Sequence, residues 1–312
     1  MNKELKDKIS TAVASWLAED NPDHSQNKLS EMSGVNARFI AEIKQGNTTY
    51  KLDNRDVDIK SEWYYQLAKA IGMQLSRTVH FDSDPNFKRV QNLCNFAQLG
   101  LRNGLIDSTD SGDGKTYGLE YFSQHSKSVL YVKITHKMKG NDLLDHLISS
   151  MKIKIKEQRV SPARKIQLIA EYCVARPGFL IILDELEDCD RDIWRIIKDL
   201  TDAVRKQCGI ILAGLGLIEK FTNGSLKQIG LMPQLDRRYR SNRLKLAPLT
   251  KPLITQLAME NGIEDKGAIK VLKEVVQDRG MLSEYILDIH TAFSDKGIEA
   301  NEQNVRELLN AF

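Results

Sequence analysis

The segment Asp107–Thr116, which reads Asp-Ser-Thr-Asp-Ser-Gly-Asp-Gly-Lys-Thr, narrows the possible folds more than any other stretch of the chain. Its close, Gly114-Lys115-Thr116, suits a phosphate loop. Glycines let backbone N–H groups approach phosphate oxygens, a lysine neutralises their charge, and a hydroxyl faces a divalent cation. A helix starting here would turn its positive end toward the same anion. The expected binding set is Ser111, Gly112, Asp113, Gly114, Lys115, Thr116 and Tyr117. Two features depart from the standard pattern. Thr109 stands where a glycine is usual, and its β-branch restricts a turn. Asp110 and Asp113 add negative charge beside an anion site.

In a second motif, Leu180-Ile181-Ile182-Leu183-Asp184-Glu185 reads as a buried strand ending in two carboxylates, the first of them 69 positions after Lys115. At the strand end Asp184 can hold Mg²⁺ through water, sharing the metal side with Thr116, and Glu185 can polarise an attacking water. A buried strand that happens to end in an acidic pair explains either motif alone, but not their order and spacing. ATP and Mg²⁺ are therefore the expected cofactors.

The rest of the chain frames these motifs. With 312 residues it exceeds the usual size of one hydrophobic core, which implies several domains. Apolar runs at Val129–Ile134, Phe179–Leu183 and Ile210–Ala213 are separated by helical periodicity, the pattern of a parallel sheet with crossover helices. A helical stretch near Phe87–Leu99 precedes them, and helix-period segments at Leu253–Met259, Ile269–Val276, Leu282–Ala292 and Val305–Phe312 follow, with Gly262, Gly280 and Gly297 at positions that suit helix ends. The expected fold class is α/β: an all-α helix-turn-helix domain over 1–75, a turn-rich linker over 76–85, a phosphate-loop core with a parallel sheet over 86–246, and a small all-α domain over 247–312.

Composition excludes several classes. The longest strongly apolar run, Phe179–Leu183, is far short of the roughly 20 residues that cross a bilayer, so no membrane partner and a soluble, intracellular protein are expected. Cys94, Cys173, Cys189 and Cys208 lack metal-ligand spacing and read as reduced, packed thiols. A net charge of +3 is too small to mark a nucleic-acid binder in bulk, so any basic surface must be local.

One candidate surface is Lys28–Gly46, which reads as a helix-turn-helix. Leu29, Ser30 and Met32 would pack its first helix, Gly34 would make the turn, and Ile40 and Ile43 would hold the second helix to a core. The outer face would present Asn36, Arg38, Ala41, Lys44 and Gln45 to DNA. Residues 1–80 carry eleven basic and eleven acidic side chains, so the module has no net attraction for DNA, and a protein-contact role stays open. The stretch from Lys152 to Lys165 carries six positive charges and one negative. Lys152, Lys154, Lys156 and Arg159 are its candidate phosphate contacts, beside the reading of a solvated face.

Phosphate loop, acidic strand, further strand, arginine cluster and helical end together resemble the AAA+ ATPases. The resemblance implies that an arginine of the cluster Leu235–Lys245, Arg237 first and Arg238 second, reaches the nucleotide of a neighbouring subunit and acts in catalysis. It also sets the basic stretch where related ring or filament ATPases place DNA-facing loops. Leu215 stands where the family carries a polar sensor, and Ser283 where an arginine is common. Across most of the chain the order of parts is similar to the transposition ATPases of bacteriophage Mu and of Tn7-like transposons. That likeness implies ATP-dependent homo-oligomers or filaments on double-stranded target DNA, which deliver it to a transposase and stimulate strand transfer. A replication initiator or helicase loader, and a helix-turn-helix transcription regulator with a degenerate nucleotide-sensing site, are the alternatives.

Overall fold

The computed structural model describes residues 3–19, 21, 24–52, 55–73, 79, 81–155, 159–223, 230–294 and 299–310. Two compact units share the chain: Met1–Phe81 with Thr250–Gln277 and Met281–Phe312, and Asp82–Leu249 with Asp278–Gly280.

In the first unit, helices α1 (Lys3–Ala18), α2 (Gln26–Ser33) and α3 (Ala37–Lys44) precede a hairpin of β1 (Thr49–Leu52) and β2 (Arg55–Asp58), then α4 (Ser61–Ala70). Ile9, Val13, Leu29, Ile40, Ile43, Tyr64 and Leu67 are buried together and form its core. Gly34 ends α2 at φ 71°, a left-handed turn that suits glycine. Met32, expected in the core, is 51% exposed in the last turn of α2. The hairpin is an addition to the all-helical expectation. Its four-residue strands, Thr-Tyr-Lys-Leu and Arg-Asp-Val-Asp, are too short for any alternation to register against the helical periodicity around them.

The C-terminal helices of this unit are α12 (Lys251–Glu260), α13 (Lys266–Val275), α14 (Arg279–Ile289, which begins in the other unit) and α15 (Glu302–Asn310), with a π-helical turn at His290–Ser294 after α14. Gly262 follows α12 at φ 82°, as its position suggests. Gly280 instead lies inside the first turn of α14, and Gly297 falls outside the described residues.

The second unit is a five-stranded parallel sheet in the order β4-β5-β6-β3-β7, built from β3 (Asn103–Ser108), β4 (Val129–Lys133), β5 (Leu180–Asp184), β6 (Gly209–Leu215) and β7 (Arg243–Lys245). Helices α5 (Pro85–Gly100), α6 (Lys115–His125), α7 (Gly140–Ser150), α8 (Pro162–Val174), α9 (Arg191–Ala203), α10 (Leu217–Asn223) and α11 (Leu231–Tyr239) connect and cover it. Strand pleating sends alternate residues to opposite faces. Ile181, Leu183, Ile210 and Leu212 join the core under Leu144, Trp194 and Leu235, whereas Leu180, Ile182, Ile211 and Ala213 face Val90, Cys94 and Leu119. This double burial explains why β5 and β6 read as unbroken apolar runs. Parallel pairing brings the C-terminal ends of the strands to one edge, with Lys133 beside Asp184 and Ser108 beside Leu215.

Candidate functional site

The loop 109–114 joins β3 to α6 at that edge. Gly112 and Gly114 take φ of 88° and 83°, the left-handed region that glycine enters without cost. Thr109 is not among the residues with positive φ, so the loop makes no conformational demand for glycine there. Asp113 also departs from expectation, since it is turned inward at 3% exposure. Burial pushes its carboxyl above its ordinary value, opposed by the N–H groups of Asp110 and Thr109 and by the charge of Arg279. The carboxyl sits within the loop, 3.5 Å from the Asp110 N. Ser111 is exposed, and Tyr117 packs on Phe87 at 5.6 Å between ring centroids.

Three loop-side and strand-side groups converge on Asp184, which is fully buried. Lys115 Nζ donates to Oδ1 at 2.6 Å, while Thr116 Oγ1 donates to Oδ2 at 2.9 Å and Tyr131 OH to the same oxygen at 3.0 Å. The Glu185 N–H completes the set at 2.9 Å from Oδ1. Burial and the neighbouring Asp184 charge raise the Tyr131 phenol above its ordinary value, so it stays a donor. Glu185 sits at φ 63°, an unfavourable conformation for a glutamate, and its carboxylate meets Lys133 at 2.9 Å. The hydrogen bond to Glu185, with its negative charge, raises Lys133.

The residues fit a polyphosphate and a divalent cation on several counts. The N-terminus of α6 has no side-chain cap, which leaves its first N–H groups for an outside acceptor. Ser108 Oγ, at the root of the loop, is buried without a hydrogen-bond partner among the described residues. Lys115, Thr116 and Asp184 combine one cation, one hydroxyl and one carboxylate, the donor set that oxygen-bound Mg²⁺ and phosphate require.

Several residues around the loop escaped sequence reasoning. Arg279, 2% exposed, donates through both Nε and Nη2 to the carboxylate of Asp84, itself 2% exposed. Its backbone N–H donates to Gly112 O at 3.0 Å, and its Nη1 to Ala247 O at the same distance. Asn86 donates to Asp113 O at 3.1 Å and to Ala247 O at 2.9 Å, stapling the loop to the segment after β7. The pair Asp84-Pro85 carries a visible signal, an N-cap followed by proline at the first helical turn, but not one for a partner 195 positions away. Arg279 also carried a signal, being the one arginine between Arg243 and Arg306. Of the linker expected over 76–85, residues 76–78 and 80 lie outside the described residues, and Asp84 near its end is buried as the N-cap of α5.

The structure separates the two candidate arginines of α11. Arg238 makes a bidentate pair with Asp202 at 2.7 and 2.8 Å, whereas Arg237 is exposed. Leu215 ends β6, where its N–H donates to Glu187 at 3.2 Å. Lys152, Lys154 and Arg159 are exposed between α7 and α8, with Lys152 in the left-handed region at φ 55°, and Lys156 lies outside the described residues. In the first unit Asn36 caps α3 by accepting from the Arg38 N–H at 2.9 Å. Arg38 in turn donates to Lys51 O at 2.7 Å, so the hairpin holds it. Lys44 is exposed. No helix among the described residues is long and apolar enough to cross a membrane.

Comparison with known proteins supports the architecture. Residues 109–220 match the family model described as an AAA domain. No curated protein matches the sequence significantly. Among solved structures, the Orc1 protein of Aeropyrum pernix in complex with DNA is similar with a TM-score of 0.52 and 13% identity, over 75% of this chain and 66% of that one. A RuvB variant of Thermotoga maritima is similar with a TM-score of 0.47 and 12% identity, over 72% and 67%. This chain spans about two thirds of the length of each. The second unit is an α/β phosphate-loop AAA core, with helices before and after it in the sequence.

Proposed function

Starting from the AAA domain of residues 109–220, we propose that the chain is an ATP-dependent, largely sequence-non-specific DNA-binding ATPase. It assembles with copies of itself on double-stranded DNA, delivers that DNA to a transposase and stimulates strand transfer. The observation that carries the nucleotide part is the convergence of Lys115 and Thr116 on Asp184, with Glu185 next in sequence.

Bound together, ATP and Mg²⁺ supply a transferable phosphoryl group and a metal that offsets its developing charge. Lys115 provides the cation for phosphate oxygens, and Thr116 and Asp184 take the metal side. Glu185 orients the attacking water and accepts its proton. Arg237, exposed and unencumbered by the pairing that holds Arg238, reaches the site of a neighbouring copy. Lys152, Lys154, Lys156 and Arg159 meet DNA phosphates without reading sequence. Aligned in many copies, such weak contacts add to a high-avidity array that falls apart when nucleotide no longer links the subunits. Arg38, Asn36 and Lys44 of the N-terminal module (1–75) add contacts to those of the core (86–246), and the helical part (247–312) completes the protomer.

A replication initiator or helicase loader is the second reading, favoured by the likeness of the fold to an Orc1 protein in complex with DNA. Electron microscopy with duplexes of unrelated sequence, combined with a strand-transfer assay, separates the two. ATP-dependent coating of every duplex and stimulated strand transfer support the transposition reading. Co-purification with a replicative helicase supports the loader instead, and tight binding to one palindrome without turnover would sink both.

A further inference from the structure

We propose that Asp84 sets the affinity of the loop for nucleotide by masking Arg279, a latent phosphate contact. The inference rests on the nucleotide-binding reading and adds a competing carboxylate to it.

Both cations beside the loop are already paired in the folded chain: Lys115 with Asp184, and Arg279 with Asp84. The guanidinium lies against the loop itself. A Cβ built on Gly114 would stand 3.1 Å from Arg279 Cδ, and Nη1 is 3.8 Å from Asp113 Oδ1. A buried arginine cannot remain uncompensated, and Asp84 supplies the compensating charge through two oxygens. An incoming phosphate must therefore compete with that carboxylate for the same donors. Asp84 carries a second duty, because its Oδ1 accepts from the Asn86 N–H and caps α5. Asparagine keeps the cap and removes only the charge, so Asp84→Asn isolates the masking role.

The test measures binding of fluorescent ATP and ADP analogues, with Mg²⁺, to wild type, Asp84→Asn, Arg279→Gln and the double variant, together with each protein's Tm with and without nucleotide. Asp84→Asn is expected to lower its nucleotide-free Tm, to bind at least tenfold more tightly than wild type, and to gain a larger Tm increase from nucleotide. The gain should vanish in Asp84→Asn/Arg279→Gln. Folded Asp84→Asn with unchanged or weaker binding would overturn the proposal. Should Asp84→Asn fold only when ATP is present, that rescue supports it. Failure to fold in either condition, while the double variant folds and binds as wild type does, overturns it. Folded wild type that takes up no nucleotide would sink the nucleotide reading itself, an outcome distinct from uptake without any effect of Asp84.

Discussion

Lys115→Ala tests the site before any ligand is added. Asp184 is fully buried and Lys115 is 8% exposed, so the pair at 2.6 Å is an interior one. Removing one member of a buried pair costs about 3–5 kcal/mol, because the other charge stays behind without a partner. Asp184 would keep the hydroxyls of Thr116 and Tyr131 and the Glu185 N–H, which places the expected loss near the lower end, about 3 kcal/mol. For a unit of this size that corresponds to a fall in Tm of about 6–12 °C. An exposed phosphate-loop lysine would instead cost well under about 1 kcal/mol. Urea unfolding of nucleotide-free protein, followed by circular dichroism, distinguishes the two. Pairing the change with Asp184→Asn should restore part of the loss, since the amide oxygen still accepts from the neighbouring donors while the orphaned charge is gone. A Lys115→Ala protein within about 0.5 kcal/mol of wild type would refute the claim that the lysine is held by Asp184. The same variant should lose ATP-dependent DNA binding, and retention of that binding would remove its phosphate role.

Three further outcomes are expected. Glu185→Gln should bind ATP but turn it over about 10²–10⁴-fold more slowly and leave persistent DNA complexes, whereas loss of ATP binding would mark Glu185 as structural. Arg237→Ala should leave Tm unchanged and lower DNA-stimulated turnover by about 10³-fold or more. Arg238→Ala should destabilise the nucleotide-free protein by about 1 kcal/mol through loss of its Asp202 pair, and the reverse pattern would exchange the two roles. The Lys133–Glu185 pair should tolerate the whole neutral range. The lysine is raised in the folded protein, so its contribution is complete below its ordinary value of 10.5 and fades only as the pH climbs past that value. Both groups are substantially exposed, so Lys133→Met should shift stability by no more than about 1 kcal/mol between pH 6 and 9, measured by urea midpoints.

Sequence reasoning reached the α/β core because its signals are local. A strand buried on both faces must be apolar throughout, and Leu180–Leu183 and Ile210–Ala213 are. Helix α5 showed in its periodicity from Phe87, although Asp84-Pro85, assigned to the linker, caps its start, and the loop showed in its two glycines. The concern over Thr109 was misplaced because a motif records residue types, whereas the backbone angle at that position asks nothing of glycine. The hairpin β1–β2 was missed because four-residue strands carry too few alternations to be distinguished from helix-period residues.

Residue types and their order along the chain determined where a phosphate could be held, which strand would bring acid to it, and that a parallel sheet would join them. Only the tertiary structure decided which charges are spent on one another. Asp84 meets Arg279, Tyr131 and Lys115 meet Asp184, Lys133 meets Glu185, and Arg238 but not Arg237 is tied to Asp202. For the interior pairs the physical reason is that burial raises the cost of an unpaired charge, and every pair depends on contacts between segments whose separation in sequence carries no trace of their proximity in space.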